Sequence, residues 1–208
     1  RPGLYRGGMR APNRYRPTPL PVVFLDRDGV INRDSPDYIK GWGEVELLPG
    51  SLAAMARLTR AGFTLILITN QSAVARGLIT RQGLNRLHQR LCAAVAEKGG
   101  RIRDIFFCPH HPDVSCRCRK PATGMLQQAA AKYGLNLATT VFVGDSAKDI
   151  LCARHGGCGK TVLVQTGNGK AAAEALARQG HAPDHTAADL PAAAKWIINP
   201  PPPRAAEW

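Results

Sequence analysis

Five runs in this chain are apolar over most of their length rather than alternating, the third broken by Arg103-Asp104, and helix-like patterns separate them. The runs are VVFLD (22–26), TLILITN (64–70), IRDIFFC (102–108), TVFVGD (140–145) and TVLVQ (161–165). A strand half-open to water would alternate apolar and polar residues, so strands that are apolar over most of their length belong to a parallel sheet covered on both faces. Apolar residues three or four apart (Leu84, Leu87, Leu91 and Val95) mark a helix over about 80–98. Further helical patterns fall at 51–62, 123–133, 146–155, 170–179 and 189–198, with Ser51 the expected N-cap of the first and Gly62 just past its end. Strand and helix alternate with right-handed crossovers expected, so the fold class is α/β, a doubly wound parallel sheet, with no internal repeat.

With 208 residues and 44% apolar composition, the chain can bury a core without disulfides. No run of 18 apolar residues exists, and the first residues lack the apolar core of a secretory signal, so a cytoplasmic protein without membrane contact is expected. Residues 1–21, rich in Arg, Pro and Gly, read as a disordered basic tail; residues 199–208 form a Pro-rich C-terminal tail, leaving 22–198 as one domain. The net charge is +13, with five arginines and no acid in the first 16 residues. That balance favours anionic partners without choosing among nucleic acid, lipid and phosphorylated metabolites.

In an open α/β sheet, ligands bind beyond the carboxyl ends of the strands. The residues ending these strands are therefore the candidate site. The first strand ends in Asp26-Arg27-Asp28-Gly29, the second in Thr69-Asn70-Gln71-Ser72, and the fourth in Gly144-Asp145-Ser146 with Asp149 beyond. The third runs into Cys108 and a loop that closes on Arg119-Lys120-Pro121. Carboxylates around a hard cation bind Mg²⁺, a carboxylate nucleophile can form an aspartyl-phosphate, and phosphoryl transfer needs cations and donors such as Lys120, Arg119 and Thr69. The loop CPHHPDVSCRC places Cys108, Cys116 and Cys118 within 11 residues of one another, with His110 and His111 between them. Clustered Cys and His without an export signal read as a closed, structural zinc site rather than as disulfides.

These residues together resemble the haloacid dehalogenase (HAD) phosphatase superfamily. DRDGVIN (26–32), Thr69 with Asn70, Lys120, and Gly144-Asp145 occur in the order of its four motifs. Within the superfamily, CPHHP, CRCRKP and TNQSAVARG resemble the D-glycero-D-manno-heptose 1,7-bisphosphate 7-phosphatases, over roughly 22–196. The resemblance implies an Mg²⁺-dependent phosphatase with little or no cap domain, working as a monomer on a phosphorylated sugar in nucleotide-heptose synthesis for surface polysaccharide. It makes Asp26 the nucleophile and Asp28 the acid/base. Mg²⁺ would be held by the Asp26 carboxylate, the Asp28 backbone carbonyl and Asp145. Thr69 and Lys120 would steady the phosphoryl group, and Arg119 would reach substrate. Asp34, Ser35 and Asp37, with Asn70, Gln71 and Ser72, would face the sugar. Zn²⁺ would be held by Cys108, His110, Cys116 and Cys118, the family position favouring His110 over His111, and would preorganise Arg119 and Lys120. Two departures stand out: Ala73 where glycine is expected, and Ser146 where some members carry lysine, which bears on the anomer preferred.

The rival enzymatic reading is a histidinol-phosphate phosphatase, which shares the DxDG motif and the zinc loop. A zinc-stabilised nucleic-acid-binding module is the rival from another class. It lacks a recognition helix and an RNA-binding aromatic motif, and at 6% aromatic content it has few stacking platforms. Gly159-Lys160-Thr161 imitates the end of a P-loop, but Arg154 stands where the first glycine must be and a strand follows instead of a helix. Cys92 and Cys152 read as apolar fillers. Asp149 reads either as an acid behind the metal ligands or as an exposed first-turn residue favoured by the helix dipole, and Tyr38 and Trp42 either as lining the sugar pocket or as packing the loop.

Overall fold

The computed structural model describes residues 21–200. The strands are β1 (Val22–Leu25), β2 (Thr64–Asn70), β3 (Ile102–Cys108), β4 (Val141–Gly144), β5 (Lys160–Val164) and β6 (His185–Ala187). The helices are α1 (Ser51–Arg60), α2 (Arg81–Glu97), α3 (Gly124–Tyr133), α4 (Ala147–Gly156), α5 (Gly169–Arg178) and α6 (Leu190–Ile198). All strands pair in parallel in one sheet of order β3-β2-β1-β4-β5-β6. The order reverses between β1 and β4, which is the switch point where such sheets open a crevice.

Both faces are covered, as the largely apolar runs require. Val23 and Leu25 of β1 pack with α1, α2 and α6, through Met55, Leu58, Leu91, Val95, Ala193 and Ile197. Val22 and Phe24 face the other way, onto Met125, Leu126 and Ala129 of α3 and Cys152 and Ala153 of α4. Leu163 of β5 packs with Ile150, Ala172 and Leu176, joining α4 to α5. The two-residue side-chain period of a strand thus divides β1 between two cores.

Two local expectations need correcting. β6 is additional to the five expected strands: it has three residues, two of them polar, too short for any periodicity to register. It pairs as an edge strand, His185 to Ala187 against Val162 to Val164. Helix α1 is capped by Gly50, not Ser51; Ser51 is its first helical residue, with a buried hydroxyl that has no hydrogen-bond partner. The segments expected to be tails lie outside the described residues, apart from Pro21, Asn199 and Pro200. Among the described residues, no helix is long and apolar enough to cross a membrane.

Candidate active site and metal centres

Register brings the strand ends level. Leu25 of β1 is abreast of Leu67 on β2 and Val143 on β4, so the residues that follow each one emerge side by side. Asp26 continues the ladder, its N–H donating to the Val143 carbonyl at 3.0 Å. Its carboxylate accepts from the Arg27 N–H at 2.7 Å and pairs with Lys120 Nζ at 2.9 Å. Lys120 is 2% exposed. Its ammonium also meets Asp149 Oδ1 at 2.6 Å and donates to the Ile68 carbonyl at 2.8 Å. A buried ammonium with three partners is fixed in place, and its pKa is raised, since two carboxylates outweigh the cost of burial.

Asp149, left open by the sequence, is fully buried. It accepts from the Ser146 N–H at 3.0 Å and the Ser146 hydroxyl at 2.7 Å, capping α4, and its other oxygen faces Lys120. Asp145 accepts from the Asn168 N–H at 2.8 Å. Carboxylate oxygens of Asp26, Asp145 and Asp149 all lie within 4.8 Å of one another. Burial, then repulsion from Asp149, pushes the Asp145 pKa up to about 7. The Asp26 carboxyl is also raised well above its ordinary value, by burial that the Lys120 charge only partly offsets. Three carboxylates against one ammonium leave two negative charges uncompensated. The donor set, hard oxygens with a surplus of two charges, fits a divalent cation such as Mg²⁺.

Past Asp28 the chain turns through Gly29 at φ 78°. The Asp28 carboxylate takes a forked ion pair from Arg27, with Nε at 3.0 Å and Nη2 at 2.8 and 2.9 Å from its oxygens. Asn32 and Gln71 each donate to it at 2.8 Å. Burial would raise its pKa, but Arg27, Asn32 and Gln71 outweigh burial and hold it below the ordinary carboxylate value. Arg27 is buried, and its remaining nitrogen lies 3.4 Å from His88 Nε2. His88, edge-on to Phe107, is driven down to about 3 by burial and then by Arg27, so it stays neutral.

A cavity of about 270 Å³ opens beside Asp28, lined by Asp34, Ser35, Tyr38, Asn70, Gln71 and Ser72 among others. Of the residues expected to face a sugar, Asp37 is not in that lining; its carbonyl accepts from Lys40 Nζ on the exposed side. Asn70 is bonded twice to the Lys120 main chain, donating to its carbonyl at 3.3 Å and accepting its N–H at 3.1 Å. Gln71 donates to Thr69 Oγ1 at 2.9 Å as well as to Asp28, which leaves the Thr69 hydroxyl proton free to donate. Tyr38, at φ 60° with the Arg76 guanidinium 5.2 Å from its ring centre, lines the cavity and also packs with Trp42 against the core around Ile39, Ile79 and Leu84, whereas Trp42 is not in the lining.

The second cluster is built from soft ligands. His110 Nδ1 lies 3.5 Å from Cys108 Sγ and 3.2 Å from Cys118 Sγ; Cys116 Sγ lies 3.7 Å from Cys108 Sγ and 3.6 Å from Cys118 Sγ. Zn–S bonds of about 2.3 Å imply tetrahedral edges near 3.8 Å, so these four atoms fit a zinc ion. His111 points elsewhere, 3.2 Å from Asp113. Arg119 donates to the His110 carbonyl at 3.5 Å, joining this loop to the segment that carries Lys120.

The HAD-hydrolase-like family model matches residues 117–193. A D-glycero-β-D-manno-heptose-1,7-bisphosphate 7-phosphatase of Bordetella bronchiseptica is 45% identical over 181 residues, covering 86% of this chain and 98% of that protein. The chain belongs to the heptose-1,7-bisphosphate 7-phosphatase family. A phosphatase of the same name from Pseudomonas aeruginosa is 49% identical, over 71% of this chain and 83% of its own length. A crystal structure of the D,D-heptose 1,7-bisphosphate phosphatase from B. bronchiseptica, complexed with magnesium and phosphate, superposes with a TM-score of 0.79 at 44% identity, covering 86% and 98% of the two chains. Within this family the histidinol-phosphate alternative is not favoured.

Sequence reasoning located the strand-end acids, Lys120 and the Cys/His loop. It missed the Arg27–His88 contact, which spans 61 residues, and the turn after β5 that meets Asp145. Neither carries a sequence motif, and the burial of the arginine inside DxD belongs to the tertiary fold alone.

Proposed function

We propose that this chain is a phosphatase that removes the 7-phosphate of D-glycero-β-D-manno-heptose 1,7-bisphosphate through a phospho-Asp26 intermediate, in the cytoplasm. The observation that carries the reading is the buried Lys120 ammonium, held between Asp26 and Asp149 at the switch point of the sheet. The substrate rests on the family's named members.

Asp26 Oδ attacks phosphorus in line with the ester oxygen. The P–O bond to C7 breaks, and the leaving oxygen takes a proton from Asp28. Lys120 and the Thr69 hydroxyl hold the phosphoryl oxygens as charge shifts among them. Water then attacks phosphorus, Asp28 takes its proton, and Asp26 and inorganic phosphate are released. The Arg27 fork keeps Asp28 ionised at rest, ready for the second step; the negative phosphate of bound substrate raises its affinity for the proton needed in the first. Asp26, the Asp28 main-chain carbonyl and Asp145 would hold Mg²⁺, which when bound neutralises the nucleophile and the transferring group. Cys108, His110, Cys116 and Cys118 would hold Zn²⁺ and fix the chain leading into Lys120.

The test is phosphate release, with Mg²⁺, from each anomer of the bisphosphate and from histidinol phosphate, with Asp26→Asn as control. The β anomer should be turned over with the highest kcat/KM and the variant should be inert. A higher kcat/KM on histidinol phosphate would overturn the substrate, and undiminished turnover by Asp26→Asn would overturn the nucleophile.

A further inference from the structure

The turn Thr166-Gly167-Asn168, between β5 and α5, belongs to none of the phosphatase motifs, yet it is built against two of them. The Asn168 N–H donates to Asp145 Oδ2 at 2.8 Å, with its side-chain nitrogen 3.5 Å from the same oxygen. The Thr166 hydroxyl donates to the Gly29 carbonyl at 2.6 Å, across 137 residues of sequence. Gly167 lies at φ 55°, and a Cβ there would fall 2.2 Å from Asp145 Oδ2 and 2.8 Å from Gly29 Cα. Only glycine fits between the Asp145 carboxylate and the turn that presents Asp28.

We infer that this turn is a positioning element for the metal: by holding Asp145 Oδ2 it directs the other carboxylate oxygen to the cation, and by holding Gly29 it locks the DxDG turn to the same point. The inference rests on the reading of Asp26 and Asp145 as metal ligands. A carboxylate has two oxygens and rotates freely in water. One tied from behind by an amide at the start of α5 presents only one oxygen, in a fixed direction. Repulsion from the buried Asp149 would otherwise turn Asp145 outward. Asn168 also counters the burial that raises the Asp34 pKa, so the same residue faces both the metal ligand and the loop lining the neighbouring cavity. Partners of this kind commonly change metal affinity by about 10–100-fold when removed.

The experiment is a Mn²⁺ titration of the full chain without substrate, read by the loss of the free-ion electron paramagnetic signal. The variants are Gly167→Ala, Thr166→Val and, as reference, Asp145→Asn, each checked by circular dichroism. Gly167→Ala should weaken Mn²⁺ binding by about 10–100-fold and Thr166→Val by several-fold, both in folded protein, with kcat recovering at high Mg²⁺. If Asp145→Asn loses Mn²⁺ while the two turn variants bind it as the parent does, the positioning role is overturned and the metal site stands. If Asp145→Asn binds as the parent does, the metal-site reading fails and takes this inference with it. Should Gly167→Ala not fold, Thr166→Val decides: unchanged affinity overturns the inference.

Discussion

The two ligand clusters lie at the same edge of the sheet and are built on opposite plans. The carboxylate cluster hangs from the ends of β1 and β4 and the start of α4, all anchored in the buried core. The thiol and imidazole cluster begins at the end of β3, but three of its four ligands sit in an irregular loop. The first has too few donors to close a coordination sphere and a surplus of charge, so it leaves room for a substrate oxygen. The second has four donors at tetrahedral spacing and no room for a fifth. The difference teaches where chemistry can occur: an open, overcharged site on rigid elements leaves room for a reacting group, and a closed one on a loop does not.

Variants should therefore separate the two by kind of effect. Asp26→Asn is expected to lower kcat by roughly 10⁴-fold or more while leaving the thermal midpoint near its parent value. Lys120→Met should lower both kcat and the thermal midpoint, because two buried carboxylates lose their partner; breaking such a pair costs about 3–5 kcal/mol, and added Mg²⁺ should restore part of the midpoint but not turnover. Cys116→Ser should act mainly on stability, lowering the midpoint by several degrees at about 2–4 °C per kcal/mol for a chain this size, with a smaller fall in kcat through the displaced Lys120 segment. A variant that lost zinc yet kept both midpoint and activity would erase the contrast.

Acidity gives a finer probe of the open site. Asp145, raised to about 7, binds a proton below that pH in the metal-free protein. Mg²⁺ must displace that proton, so the concentration giving half-maximal activity should rise by about tenfold per unit as pH falls below 7, and level off above it. The Cys/His loop should show no matching dependence on Mg²⁺. The smallest effect concerns His88, whose pKa falls from 6.5 to about 3 on folding. The unfolded chain then binds the proton first, so stability declines as pH drops below about 6.5 towards 3. His88→Gln should flatten that decline, measured by urea midpoints between pH 7 and 5, and should leave turnover at pH 7.5 within a few-fold.

Much of this was legible because it follows from periodicity and strand ends. The five largely apolar runs dictated a covered parallel sheet, and a covered parallel sheet places Asp26, Thr69 and Asp145 at one edge. The spacing of Cys108, Cys116 and Cys118 announced its own chemistry, although the choice of His110 over His111 needed the family position and is clear in space. Other parts were illegible for physical reasons. His185–Ala187 pairs only because β5 offers it an open edge, not because three residues prefer extended backbone. The grip of Asn168 on Asp145 is a main-chain N–H, which any residue but proline would supply. Arg27 was hidden by position: between two aspartates it reads as a surface charge, and only the tertiary fold buries it beside His88.

The strand that ends in Asp26 lies in the middle of the sheet, flanked by β2 from one half of the chain and β4 from the other. Asp26 is among the first described residues to be synthesised, and Asp145, Asp149 and the Thr166–Asn168 turn are among the later ones. A nascent chain that has folded only its first half holds Asp26 with no Asp145 and an incomplete crevice. The crevice is therefore completed only when β4 and β5 dock, which needs loop closure over most of the domain. Recovery of turnover during refolding would then report the completed sheet rather than any one of its parts.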